Sequence, residues 1–300
     1  MQAFWMVLSA LIFSTMAVCV KFAAVYFNNA ELVFYRGLIG VIFMAIFARV
    51  RGISLKTQVL PTHIWRSIVG VVALSAWFYA IAHLPLATAM TLNYMSSVWI
   101  AAFLVGGTLM FAKPGERVIS QAPLVGAILA SFAGVIMLLR PTMDQNQAFA
   151  GLIGLLSGLG AAFAYMQVMV LARMGEPEAR TVFYFAAGTV IAGGLGMAVL
   201  GISPWDWQHA LWLLPIGLLA SLGQLCMTKA YSMSTNHGGT LMAANLQYSG
   251  VIFSALYGLV LFGDQIPLLG WAGMALIILS AVAATVLRAR AAPNAPAEEH

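Results

Sequence analysis

Long apolar runs separated by short polar clusters set the pattern of this chain. Ten such runs fall at about residues 4–21, 30–48, 64–82, 86–111, 121–139, 149–172, 181–200, 209–231, 238–262 and 267–287. A helix needs about 20 mostly apolar residues to cross the hydrocarbon core of a bilayer. The runs lack the alternation of a barrel strand and are about twice its length. The breaks are short, as at His83-Leu84-Pro85 and Gly263-Asp264-Gln265. The pattern predicts an all-α, polytopic membrane protein with ten transmembrane helices. The first run has no basic segment before Phe4 and exceeds the core of about 7–15 residues found in signal peptides. It is therefore read as a span. Residues 291–300 read as a disordered tail.

Composition narrows the function. Only 8% of the 300 residues are charged and 62% are hydrophobic, whereas a soluble domain carries roughly 25% charged residues. A soluble enzyme, a nucleic-acid binder and a disordered hub are excluded on that ground. The net charge of +5 is read as basic loops held on the cytoplasmic side of a membrane. With the N-terminus inside, that side holds Arg49, Arg51, Lys56, Arg66, Lys113, Arg117, Arg173, Arg180, Lys229, Arg288 and Arg290. The far side holds Lys21, Arg36 and Arg140. Both termini are thus expected in the cytoplasm, which an even number of spans requires. Cys19 and Cys226 sit in apolar runs without metal-ligand spacing and read as packing residues.

The two halves resemble each other. Val33-Phe34-Tyr35 recurs as Val182-Phe183-Tyr184 at an offset of 149, and Glu116 recurs as Asp264 at an offset of 148. Each half holds five runs, 1–143 and 144–290. Five is odd, so the second half enters the membrane from the opposite side, giving two inverted five-helix repeats.

The stretches Leu84-Pro85-Leu86-Ala87-Thr88-Ala89, Leu92-Asn93-Tyr94, Asn245-Leu246-Gln247-Tyr248 and Phe262-Gly263-Asp264, with Lys21 and Arg36, carry a family resemblance. In its 5+5 pattern the chain resembles the drug/metabolite transporter superfamily, and its EamA-type members in particular, over about residues 4–287. Members often carry a proline in spans four and nine, where this chain reads Met95-Ser96-Ser97-Val98 and Ser249-Gly250-Val251. The resemblance implies an inner-membrane carrier with a central cavity, slightly favours export, and leaves the substrate open.

Polar side chains inside hydrocarbon are costly unless they face protein or water, so their positions outline a candidate cavity. Thr91, Asn93, Tyr94, Ser96 and Ser97 form a belt in span four. Thr240, Asn245, Gln247 and Tyr248 form a second belt in span nine. Ser221, Gln224, Thr228 and Tyr231 share one stripe of span eight. Trp77 and Tyr79 lie in span three, with Ser75 and His83. The expected substrate-cavity residues are Trp77, Tyr79, Thr91, Asn93, Tyr94, Ser97, Gln224, Thr228, Tyr231, Asn245, Gln247 and Tyr248. Spans three, four, eight and nine would build the cavity, with spans one and six as movable walls. The competing reading is that each hydroxyl or amide ties one helix to the next, for about 0.6 kcal/mol.

Lys21, Glu31 and Arg36 read as charges at the outer mouth. Either basic residue snorkels to the headgroups, pairs with Glu31 or attracts a substrate carboxylate. Small residues recur every four positions as Gly126, Ala130 and Gly134, as Gly154 and Gly158, and as Gly188, Ala192 and Gly196; they read as packing faces.

No HExxH, GxSxG or GxxxxGK[ST] pattern occurs. The expectation is a secondary transporter rather than an enzyme, without cofactor or metal. It would move a small polar organic metabolite, an amino acid or related compound, by alternating access. Its partners would be that small molecule and the lipid bilayer, with no nucleic acid, as a monomer or weak homodimer. The alternatives are a metabolite-binding membrane sensor and a carrier of nucleobases or drug-like cations.

Overall fold

The computed structural model describes residues 2–100, 102–103, 122–139, 145–233 and 246–291. All regular structure among them is helical. In chain order the principal described helices, besides a short one at Trp207–Ala210, are α1 (Gln2–Ala23), α2 (Asn29–Val50), α3 (Leu60–His83), α4 (Leu86–Tyr94), α5 (Ala122–Leu139), α6 (Gln145–Arg173), α7 (Glu178–Leu200), α8 (Leu213–Ser232), α9 (Ser249–Tyr257) and α10 (Leu268–Ala291). Among the described residues, six helical stretches are long and apolar enough to cross a membrane: α1, α2, α3, α7, residues 147–173 within α6, and residues 207–232, which carry α8. Shorter apolar stretches lie in α5, in α9 with the turn after it, and in α10. Large apolar side chains such as Ile42, Val72, Ile136, Leu195 and Val260 point outward, as lipid-facing positions require. The chain is a multi-pass membrane protein.

Local chemistry fixes the helix ends. Asn28 and Glu31 cap α2 reciprocally, with Glu31 N–H donating to Asn28 Oδ1 at 3.1 Å and Asn28 N–H to Glu31 Oε2 at 2.7 Å. Glu31 also accepts from Ser203 N–H at 3.0 Å and Ser203 Oγ at 2.6 Å. It therefore pairs with neither Lys21 nor Arg36; its carboxylate is spent on a helix start, where negative charge is favoured.

Small residues let the helices approach closely. In the α2–α7 seam, a Cβ on Gly37 would strike Thr189 Oγ1, and one on Gly40 would lie 3.2 Å from Ala186 Cβ. Further along, a Cβ on Gly193 would lie 2.5 Å from Phe34 N, and one on Gly196 would lie 2.8 Å from Ala30 Cβ. Numbers on α2 rise as those on α7 fall, so the two helices run antiparallel. The α5–α10 seam is also antiparallel. Ser131 and Ser280 share a hydroxyl bond of 2.7 Å there, and Gly134 abuts Gly273 and Ile277. Helix α3 packs on α6, with Gly160 against Ala73. Helix α1 packs on α8, with Gly223 against Phe13. Helix α4 lies between α6 and α9.

Span four is not one continuous helix, and neither is span nine. Helix α4 stops at Tyr94, Met95 is a turn, and helix resumes at residue 96. In the second half, residues 247 and 248 form a turn immediately before α9. Proline is present at neither break. Instead Ser97 Oγ donates to Tyr94 O at 3.2 Å, and Ser249 Oγ donates to Leu246 O at 2.7 Å. A serine that bonds back to a preceding-turn carbonyl competes with the backbone ladder and bends the helix. Beyond α9, residues 258–262 continue as a π-helical turn closed by Gly263, whose φ of 61° suits glycine.

Helices α6 and α7 are joined at a buried ionic cluster. Glu176 accepts from Thr57 Oγ1 at 2.9 Å and from Arg180 Nη1 at 3.0 Å, and its Oε2 lies 3.1 Å from His63 Nε2. Burial pushes the Glu176 carboxyl up, but hydrogen bonds from His63, Thr57 and Arg180 outweigh it and hold the group below its ordinary value. A depressed carboxyl contributes stability that is complete above its unfolded value, about 4.3. That stability is lost as pH falls through the folded value. The melting temperature of detergent-solubilised protein should therefore drop on acidification below about pH 4.3. Glu176→Gln should melt lower at neutral pH, by roughly 1–3 kcal/mol, and should show a smaller acid-induced drop; an unchanged pH profile in this variant would refute the assignment.

Candidate functional site

At the centre of the bundle is a cavity of about 50 Å³. The first half contributes Phe13 from α1, Arg36 from α2, Arg66, Gly70 and Trp77 from α3, and Asn93 and Tyr94 from α4. The second half contributes Tyr165 from α6, Phe185 from α7 and Gln224 from α8. A void of this size holds a few waters, whereas small-molecule sites span roughly 300–1,000 Å³.

Several sequence-predicted residues meet here. Trp77, Asn93, Tyr94 and Gln224 line the cavity. Tyr231 packs against the lining residue Tyr165 at 5.9 Å between ring centroids. Tyr94 meets Tyr248 edge-on at 6.2 Å. Trp77 Nε1, Tyr94 OH, Gln224 Oε1, Thr228 Oγ1, Tyr231 OH and Gln247 Oε1 are buried without a hydrogen-bond partner among the described residues. Native interiors pair the large majority of such atoms, so this concentration of orphans marks a place where polar ligand atoms fit.

Other predicted residues are already committed. Thr91 Oγ1 donates to Ala87 O at 2.7 Å. Ser97 Oγ and Tyr248 OH bond each other at 2.7 Å, tying the two broken helices together. Asn93 Nδ2 donates to Ser157 Oγ at 3.2 Å. Tyr79 stacks on His83 at 4.2 Å and touches Phe149, away from the cavity lining. Asn245, with Thr240, lies outside the described residues. The cavity draws more on α2, α3, α6 and α7 than the polar belts suggest.

Two arginines depart furthest from their sequence-based positions. Arg36 is not at a mouth but in the cavity, 4% exposed. Arg66 is not on a cytoplasmic surface but also in the cavity, 2% exposed. Both guanidiniums lie over the Phe185 ring, at 5.0 Å for Arg36 and 3.8 Å for Arg66. Arg66 had one legible signal, its place inside an apolar run of spanning length.

Lys21 instead forms a latch at the C-terminal end of α1. Its Nζ lies 3.1 Å from Asp264 Oδ1 and donates to Leu84 O at 3.2 Å. Leu86 N–H donates to Asp264 Oδ2 at 2.8 Å. The π-helical turn and Gly263 aim Asp264 at this point. The latch joins the α3–α4 turn and the end of α1 to the second half. Phe22 stacks on Trp212 at 4.9 Å and meets the Phe262 ring at a tilt at 4.8 Å, adding aromatic contacts beside the latch.

Among the described residues the protein is an all-helical, apolar bundle with unpartnered polar atoms at its centre. Residues 1–140 match the EamA-like transporter family. It is 29% identical over 279 residues to the pseudopaline exporter CntI of Pseudomonas aeruginosa, covering 92% of this chain and 93% of the relative. It is 28% identical over 282 residues to an uncharacterized transporter of Helicobacter pylori, covering 91% and 90%. A riboflavin transporter of Rhizobium johnstonii is 28% identical over 233 residues, covering 77% and 74%. One solved crystal structure superposes with a TM-score of 0.68 at 20% identity, over 97% of this chain and 98% of the other; that likeness establishes a shared fold.

The latch gives a direct test of closure. Lys21 and Asp264 side chains are mostly buried, and losing the pair is worth about 1–2 kcal/mol, a shift of about five- to thirtyfold. Cys19 is buried two residues from Lys21. In a Cys226→Ser background, Asp264→Asn should raise the rate of Cys19 labelling by a membrane-impermeant maleimide several-fold. An unchanged rate would show that the latch does not hold this end shut.

Proposed function

We propose that the protein is a secondary transporter that carries a small polar organic metabolite, an amino acid or related compound, across the inner membrane by alternating access. The observation that carries the reading is the set of buried, unpartnered polar atoms at the centre, shared between the two halves of the chain. Support for two inverted repeats comes from the packing. Helix α2 pairs with α7, α4 with α9, and α5 with α10, each five places apart in the helix order. The contacts α3–α6 and α1–α8 exchange under the same shift. In the α2–α7 seam, Gly37 meets Thr189 and Gly40 meets Ala186; adding the sequence offset of 149 to either glycine gives the other's partner. Antiparallel pairing of corresponding helices is what inverted insertion produces.

A structure closed at the latch, with a cavity too small for a metabolite, corresponds to one stage of such a cycle. With the two buried arginines set aside, ten basic residues against two favour both termini in the cytoplasm, which puts the latch outside. Export is the direction named for the Pseudomonas aeruginosa relative and is the direction proposed here. Asn93, Gln224 and Gln247 would bond the substrate's polar groups, with Asn245 expected beside them and Tyr231 and Tyr248 closing around it.

The test is counterflow in reconstituted vesicles. A panel of amino acids, other organic acids, nucleobases and amines should contain a solute that exchanges saturably. Gln224→Ala and Asn93→Ala should each raise its half-saturation concentration about tenfold, the loss of about 1.4 kcal/mol, without altering the elution profile of the purified protein. Tight binding with no exchange of any panel member would favour the sensor reading.

A further inference from the structure

The buried guanidiniums are poorly explained as packing. Arg36 and Arg66 come from different helices yet converge on one ring. Arg36 Nε, Arg66 Nε and Arg66 Nη1 are buried and unpartnered among the described residues. Every described acid is committed elsewhere. Glu31 caps α2, Glu176 holds His63 and Arg180, Glu178 meets Lys229, Asp206 meets His209, and Asp264 holds Lys21. An unpaired buried charge costs several kcal/mol, and two like charges on one ring also repel each other. A desolvated cation–π contact offsets only part of that cost. Apolar side chains of the same length would fill the space without that deficit.

Room for the charges is built into the backbone. Gly70 lies one turn after Arg66, and a Cβ there would sit 2.5 Å from Arg66 Nη1 and 2.8 Å from Phe185 Cε2. Guanidinium presents planar donors that match an oxyanion two at a time. Beside the charges the wall is aromatic: Phe13, Trp77 and Tyr94.

We infer that the cavity selects an organic carboxylate, its anionic head held by Arg36 and Arg66 and its apolar body laid against Phe13, Trp77 and Tyr94. The inference rests on the transport reading only in taking this cavity as the substrate's. A cationic solute meets two like charges here and is rejected, so the site disfavours amines and drug-like cations. An amino acid fits through its carboxylate, while its ammonium must face Asn93 or Gln224, away from the arginines.

The test is equilibrium binding to the purified full-length protein, independent of transport. Three bodies (butyl, benzyl and indolylmethyl) are each presented with a carboxylate, a carboxamide and an aminomethyl head. Thermal stabilisation is read for all nine probes. At least one carboxylate should stabilise the protein, with its amide at least tenfold weaker and its amine inactive. Arg36→Met and Arg66→Met should abolish that response while the ligand-free protein melts no lower than wild type, because an uncompensated charge has been removed. Gly70→Ala, which keeps both charges but displaces Arg66, should weaken carboxylate binding by tenfold or more. No response to any carboxylate, equal responses to amides or amines, or ligand-free Met variants that melt far lower would overturn the inference. Carboxylate binding without counterflow would leave this inference standing and refute transport. Counterflow of amines alone would do the reverse.

Discussion

Direct backbone contact between α2 and α7 is the constraint on which the rest depends. Gly37, Gly40, Gly193 and Gly196 remove the side chains that would hold these helices apart. Because the contact is so close, Arg36 on one helix comes to face Phe185 on the other. Helix α3, seated on both α6 and α7 through Gly160 and Gly188, then delivers Arg66 to the same ring. A seam built of small residues thus determines where the largest charged side chains can go. In lipid, where association draws little from the hydrophobic effect, such close approach is the main source of helix affinity.

Carboxylates all find partners among the described residues. At the ends of the bundle they are satisfied: Glu31 by Asn28 and Ser203, Glu176 by Thr57, His63 and Arg180, Asp264 by Lys21 and Leu86. Serines along the seams are satisfied as well, as with Ser14 on Gly250 O and Ser131 on Ser280. Five residues that line the cavity, Arg36, Arg66, Trp77, Tyr94 and Gln224, carry unpartnered atoms, and so do Asn29, His63, Ser96 and Trp99, which lie outside its lining.

Much of the fold was legible because lipid imposes a simple rule, about 20 apolar residues per crossing. Of the periodic glycines read as packing faces, Gly134, Gly154, Gly158, Gly188 and Gly196 lie in close seams, whereas a Cβ on Gly126 would meet nothing within 4 Å. Trp77, Asn93, Tyr94 and Gln224, picked out by their depth, line the central cavity, while Thr91, Ser97 and Tyr248, picked out the same way, are taken up by bonds within the bundle. Arg66 was missed because a count of basic residues treats any arginine near a helix end as surface charge. Only its position inside an apolar run argued otherwise. Arg36 was placed at a mouth because snorkelling and burial look alike in one dimension. The breaks at Met95 and at residues 247–248 were hidden because serine, unlike proline, also sits comfortably in a continuous helix. Phe185 carried no signal at all; its role comes from meeting Arg36 across the seam.

The arginine pair also has an electrical consequence. Each unit charge moved through a full drop of 100 mV changes energy by about 2.3 kcal/mol. Arg36 and Arg66 are fixed in the scaffold, but the field around them depends on which end is sealed. Under the proposed alternating access, closure at the α1 latch would put the voltage drop on that side of the pair and opening it would move the drop to the other side. Two buried positive charges would then tie the balance between shapes to the resting potential, and each negative charge bound in the pocket would weaken that tie.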